Sequence, residues 1–176
     1  VNLAYNSTDP NVGFKMSANR EGLKCYMADT GLLASHAFSD SPTTVKDVLW
    51  KVLTGKLELN KGMLMENVVA QMLRAAGREL YFHKTFDRAD VAKRMEIDFL
   101  LTKPMITSRR NVIPIEVKSS NDYTTVSLDR FAEAYPGYCA ERIVLYPGDA
   151  DYTKAITYLP LYMTPLVARR GDANLA

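Results

Sequence analysis

The chain has 176 residues, 47% of them apolar and 24% charged, with a formal charge of +2. That length holds one domain with a sizeable core, and the charge permits nucleic-acid contact without requiring it. No stretch approaches the roughly 20 apolar residues of a membrane-spanning helix, and residues 1–20 are too mixed and polar for a secretory leader. Cys25 and Cys139 have neither a metal-binding spacing nor a disulfide-rich setting, so they read as reduced core thiols of a cytoplasmic protein. The first residue is Val, which points to a trimmed chain or a piece of a longer one.

Residues 1–21 show turn formers at Asn6, Asp9-Pro10-Asn11 and Gly13 and little periodicity. They read as an irregular or partly strand-like lead-in, the remnant of an upstream region. Leu23 to Ala28 fits a strand, and Asp29 or Thr30 can cap a short helix that ends near His36. A lone histidine makes no ligand set. Val45, Val48, Leu49, Val52 and Leu53 recur at helical spacing up to Gly55. Trp50 lies on another face of that helix, where core or partner packing explains it better than a ligand platform.

Gly62 to Ala76 is the strongest helix, with a broad stripe of Leu64, Met65, Val68, Val69, Met72 and Leu73 and a stop at Gly77. Glu66 lies within this apolar run, with Gly62 and Ala70 one turn away on either side. It fits equally a carboxylate at the edge of the stripe and a site residue approached across small neighbours. Leu80 to Lys84 reads as the next strand, joined by a hairpin-type connection over Thr85–Asp90 to another.

That next strand, Glu96 to Leu101, and the one after it, Ile113 to Lys118, carry charges where core strands have none. Alternation puts Ile97, Phe99 and Leu101 on one face and Glu96 and Asp98 on the other. In the second strand Ile113, Ile115 and Val117 oppose Glu116 and Lys118, and Pro114 suggests an edge or bulge. Buried charges need one another, a metal ion or solvent, so the set is either an ion-pair cluster or a site. A helix over Val126–Tyr135 and a strand over Glu141–Tyr146 complete a crossover unit that favours parallel pairing. Ile156 to Tyr162 is the last strand, and the tail from Arg169 is expected to fray.

If the two charged strands are neighbours, Asp98 and Glu116 converge with Lys118 beside them. Two carboxylates with water and phosphate oxygens suit Mg²⁺ or Mn²⁺, and Lys118 would orient water or stabilise phosphate charge. Glu66 would bind the metal or its water shell, and Glu96 would stand farther along the strand in a supporting or surface role. His83 and Lys84 are near enough to contact phosphate, although an ordinary strand position explains His83 better. Arg88, Lys93, Arg94, Arg109 and Arg110 sit in the neighbouring connections, as phosphate contacts or as solvated loop charge.

The order Gly62-xxx-Glu66-Asn67, Glu96-Ile97-Asp98-Phe99 and Ile115-Glu116-Val117-Lys118-Ser119 resembles the PD-(D/E)XK restriction-endonuclease-like superfamily. More narrowly, with Lys24 to Leu33 and Ile156 to Tyr162, it resembles the C-terminal domain of unknown function of prokaryotic AAA-type P-loop ATPases. The resemblance implies an α/β fold with a restriction-endonuclease-like mixed central sheet flanked by helices. It implies a domain over 22–163 followed by a tail over 164–176. It further implies Asp98, Glu116 and Lys118 as catalytic residues, Asp98, Glu116 and Glu66 as ligands of Mg²⁺ or Mn²⁺, and DNA as a partner. Ile97-Asp98 replaces the Pro-Asp of the motif. The chain has no Walker A sequence, so the ATPase domain of the full-length protein would be a partner and this part should not hydrolyse ATP. Two functions remain open: Mg²⁺-dependent phosphodiester cleavage or DNA binding, and a non-catalytic interaction or regulatory module of the ATPase. The apolar helix over 45–53 leaves room for a homo-oligomer.

Overall fold

One extended stretch, Met95 to Thr102, joins two sheets, and it does so because Asp98 steps out of both ladders. The structure is a computed structural model that describes residues 1–10, 13–37, 46–47, 50, 61–86, 94–103, 110–120 and 123–170. The first sheet contains β1 (Asn2–Ser7), β2 (Ala18–Tyr26), β3 (Leu80–Thr85) and β4 (Met95–Ile97), in the order β2-β1-β3-β4. Its pairs β1–β2 and β3–β4 are antiparallel, and β1–β3 is parallel. The second contains β5 (Phe99–Thr102), β6 (Val112–Val117), β7 (Ile143–Tyr146) and β8 (Thr157–Pro160), in that order. There β5–β6 is antiparallel and the other two pairs are parallel.

Four bounded α-helices are found among the described residues: α1 (Thr30–Ala37), α2 (Lys61–Ala75), α3 (Val126–Ala134) and α4 (Thr164–Arg169). The molecule is thus a mixed α/β protein with two mixed sheets. Its apolar side chains divide by sheet face. One cluster joins Val69, Ala70 and Leu73 of α2 and Val167 of α4 to Phe99, Ile113, Ile115 and Leu145. The other joins Leu128 and Phe131 of α3 to Ile97, Leu100, Val112 and Val144. The crossover from β6 through α3 to a parallel β7 is the expected arrangement.

Several expectations change. Simple alternation put Ile97, Phe99 and Leu101 on one face, yet Ile97 packs under α3 while Phe99 and Leu101 pack under α2. The bend at Asp98 resets the side-chain parity. Pro114 lies not at an edge but in the central strand β6, opposite Leu100. The N–H groups of Val112 and Lys118 both point to the β7 side, donating to Tyr138 and Leu145 carbonyls. Pro114 shares their parity, and β7 pairing begins only at Ile115. Its missing donor therefore falls in the gap between the Val112–Cys139 bridge and β7.

Residues 1–21, expected as an irregular or partly strand-like lead-in, supply β1 and the start of β2, with Ala4 fully buried between its neighbours. The expected tail over 164–176 begins with α4, whose Val167 and Ala168 reach the core. Cys25 is exposed rather than a core thiol, and Cys139 is half-buried. Most of the expected helix over 45–53 lies outside the described residues; Trp50, which is described, is 67% exposed. No helix among the described residues is long and apolar enough to cross a membrane.

Candidate functional site

The acidic residues meet around a lysine that comes from β2. Alternation along that strand puts Lys24 and Tyr26 on the same face, above α2 and the start of the acidic stretch. Lys24 Nζ lies 3.0 Å from Glu66 Oε1, 2.9 Å from Glu96 Oε1 and 3.8 Å from Asp98 Oδ1. Its ammonium also stands 5.2 Å from the centre of the Phe82 ring. The Tyr26 hydroxyl donates to the same Glu66 oxygen. Glu96 completes the chain of charges by taking Lys84 Nζ at 2.7 Å on its other oxygen.

Asn67, next to Glu66 and 2% exposed, explains why α2 presents that carboxylate here. Its Oδ1 accepts the Met27 N–H at 2.8 Å, and its Nδ2 donates to the Met27 carbonyl at 3.2 Å and to Thr30 Oγ1 at 3.0 Å. The exit of β2 is thereby fastened to the second turn of α2. Asp29 holds the start of α1 by accepting the Leu32 N–H at 3.0 Å, as the capping pattern predicts.

Asp98 Oδ2 accepts the Val117 N–H at 2.8 Å, so a side chain stands in for a ladder carbonyl. This contact also brings Asp98 beside the Glu116–Lys118 segment. Glu116, 2% exposed, shares the sheet face of Val112 and looks toward α3. Lys118 Nζ lies 2.6 Å from its Oε2, but that buried oxygen receives no hydrogen bond of acceptable geometry.

The protonation balance follows from this packing. Burial, then the charge of Glu66, pushes the Asp98 carboxyl up to about 7; Lys24 and the Val117 N–H oppose the rise, and Glu116 adds to it. Burial likewise raises Glu116 above the usual carboxylate range, against the pull of Lys118. For Lys24, burial works against the charge, but Glu66, Asp98 and Glu96 outweigh it and hold the ammonium above its ordinary value. Glu96 falls below its ordinary value because the bonds to Lys84 and Lys24 overcome its burial. Burial and Glu66 together hold the Tyr26 hydroxyl in its neutral form.

The residues singled out in the sequence are therefore arranged in two adjoining groups. Glu66, Glu96 and Asp98 share Lys24, while Glu116 pairs with Lys118. Among the described residues, no group of three or more His, Cys, Asp or Glu side chains is placed to hold a metal ion. His83 is a buried core residue, donating from Nδ1 to the Ser7 carbonyl at 2.7 Å and packed edge-on against Phe131 and Tyr135. Burial lowers its pKa, which favours the neutral ring. Arg94 lies over the Phe86 ring at 4.8 Å. Arg88, Lys93 and Arg109 lie outside the described residues.

Lys24, Tyr26 and Asn67 were missed as parts of the site. The available signal was a lysine and a tyrosine two apart in a short strand, which share a face. Nothing local connects that face to Glu66, 42 positions later.

The family profile described as Domain of unknown function (DUF4143) matches residues 61–164, which span α2, the acidic bend, the Glu116–Lys118 strand and the start of α4. Neither a curated protein nor a solved structure matches the chain. The matched segment covers more than half of the sequence and carries Glu66, Asp98, Glu116 and Lys118, so the chain belongs to the DUF4143 family.

Proposed function

We propose that this is a nuclease-like domain of a larger AAA-type ATPase, with a restriction-endonuclease-like site that cleaves or grips the phosphodiester backbone of DNA in the presence of Mg²⁺ or Mn²⁺. The observation that supports this reading most is the bend at Asp98. It removes a residue from the ladder and half-buries a carboxylate whose pKa is pushed up to about 7. Beside it, the Glu116 carboxylate is buried and paired with Lys118. Such arrangements cost stability and concentrate at functional sites.

The donor chemistry fits a small hard cation. Mg²⁺ is commonly held by one or two carboxylates, with waters and substrate phosphates filling the remaining positions. Asp98 and Glu116 would hold it, with Glu66 at the edge. When bound, the ion would polarise the phosphate and make a bound water more acidic. Lys118, tethered at Glu116, places a positive charge next to those carboxylates and would stabilise charge that develops on the phosphate.

One observation favours the second reading, a non-catalytic interaction or regulatory module of the ATPase. Lys24 already pairs with Glu66, Glu96 and Asp98, as a structural ion-pair network would. The two readings part in a single assay. Purified chain is incubated with single- and double-stranded DNA, with Mg²⁺, with Mn²⁺ and with chelator. Nuclease function predicts metal-dependent cleavage that Glu116→Ala and Lys118→Ala each reduce on the order of a hundredfold or more. Cleavage indifferent to both substitutions would remove this mechanism, and its absence from the wild type would favour the module.

A further inference from the structure

Lys24 bridges carboxylates from two distant parts of the chain: Glu66 on α2, and Glu96 and Asp98 on the stretch that runs from β4 into the bend. Its side chain remains 22% exposed. It belongs to β2, the outermost strand of its sheet, which pairs only with β1 among the described strands. A lysine offers a compact charge on a flexible stem, so its ammonium can leave the cluster without moving the backbone. Asp98, in contrast, is anchored to the Val117 N–H, and Glu66 is held by Tyr26 and by the Asn67 clip beside it. The acidic groups are fixed and the cation is movable.

We propose that Lys24 is a tethered counter-ion that a divalent cation must displace in order to bind at Asp98, with Glu66 at its edge. This rests on the reading that Asp98 belongs to a metal site. The reason is one of space and charge. A metal sharing the oxygens that Lys24 now contacts would lie within about 5 Å of the ammonium, where like charges repel strongly in a partly buried setting. In the metal-free protein Lys24 offsets part of the carboxylate charge and keeps the first sheet joined to α2. In the metal-bound protein it swings outward to solvent. Lys24 thereby lowers the affinity for metal without touching the reacting atoms.

The test compares wild type with Lys24→Met by calorimetric titration of Mn²⁺, and follows heat stability of both proteins with chelator and with saturating Mn²⁺. Displacement predicts that Lys24→Met binds Mn²⁺ about tenfold more tightly or better. It also predicts a lower melting temperature in chelator that Mn²⁺ restores, with a larger metal-dependent rise than in wild type. Equal affinity in the two proteins would overturn the role of Lys24 and leave the metal site standing. No binding by either would overturn both. If Lys24→Met does not fold, the wild type alone decides. The side-chain resonances of Lys24 should shift during a Mg²⁺ titration in step with binding, and unmoved resonances at saturation would overturn the proposal.

Discussion

Asp98 does two jobs that conflict at neutral pH: its oxygen replaces a ladder acceptor for Val117, and its charge is buried beside Glu66 and Glu116. An aspartate in an unfolded chain ionises near 3.9, whereas burial moves this one up to about 7. A raised carboxylate contributes stability that is fully present below the unfolded pKa and lost as pH rises through the folded one. Asp98 therefore costs the fold stability progressively as pH rises from about 4, and in full above about pH 7. An asparagine at this position would keep an oxygen for the Val117 N–H without the charge. We expect Asp98→Asn to be more stable than wild type by about 1–2 kcal/mol at pH 8 in chelator. The gain should vanish near pH 4, and urea unfolding at both pH values measures it. A less stable variant at pH 8 would show that Lys24 compensates the ionised Asp98 in full. Asp98, Glu116, Lys118 and Glu66 could be singled out from the sequence because charged residues interrupt otherwise apolar runs. Lys24 could not, since an edge-strand lysine is ordinary until its partners are known.

At the scale of elements, α2 is the part that transmits position from one side of the molecule to the site. Its end is closed by Gly77, whose φ of +80° lets the Gly77 N–H reach the Arg74 carbonyl and the Arg78 N–H reach that of Leu73. No heavy atom within 4 Å would meet a Cβ at Gly77. The cost of Gly77→Ala is thus purely that of the left-handed backbone, and we expect about 1 kcal/mol from urea unfolding. A cost well above that would mean that the helix end and the packed face of α2 move together. The periodicity of the stripe and the glycine stop made this helix legible to within a residue or so. The break between β4 and β5 was not, because a run such as Glu96 to Leu101 looks continuous until its neighbours compete for opposite edges.

At the scale of the molecule, both ends of the described chain close the core. β1 runs between β2 and β3, and α4 lays Val167 and Ala168 against the cluster that contains Val69 and Leu73 of α2. Arg78 fastens α4 by donating to the Ala168 carbonyl from Nε at 2.9 Å and from Nη2 at 2.6 Å. Glu141 ties the same region through Arg170 and, at 3.2 Å, Lys103. A chain ending at Met163 should lose about 2–4 kcal/mol of stability from the uncovered apolar surface and the lost hydrogen bonds from Arg78 to the Ala168 carbonyl. Near-ultraviolet circular dichroism and urea unfolding would show it, and an unchanged midpoint would mean that α4 is a dispensable cover.

Local pattern by itself determined the strand-rich α/β character, the helices over 62–76 and 126–135, the crossover unit and which charged residues interrupt the apolar strands. These rest on periodicity and on the cost of burying charge, both of which act within a few residues. Tertiary structure alone decided that the first residues form a central strand, that Pro114 sits in mid-sheet and that α4 is core. It also decided that Lys24 stands among the carboxylates. Each depends on which distant segment supplies a hydrogen-bond partner or a counter-charge, and that is settled only when strands far apart in the chain pair.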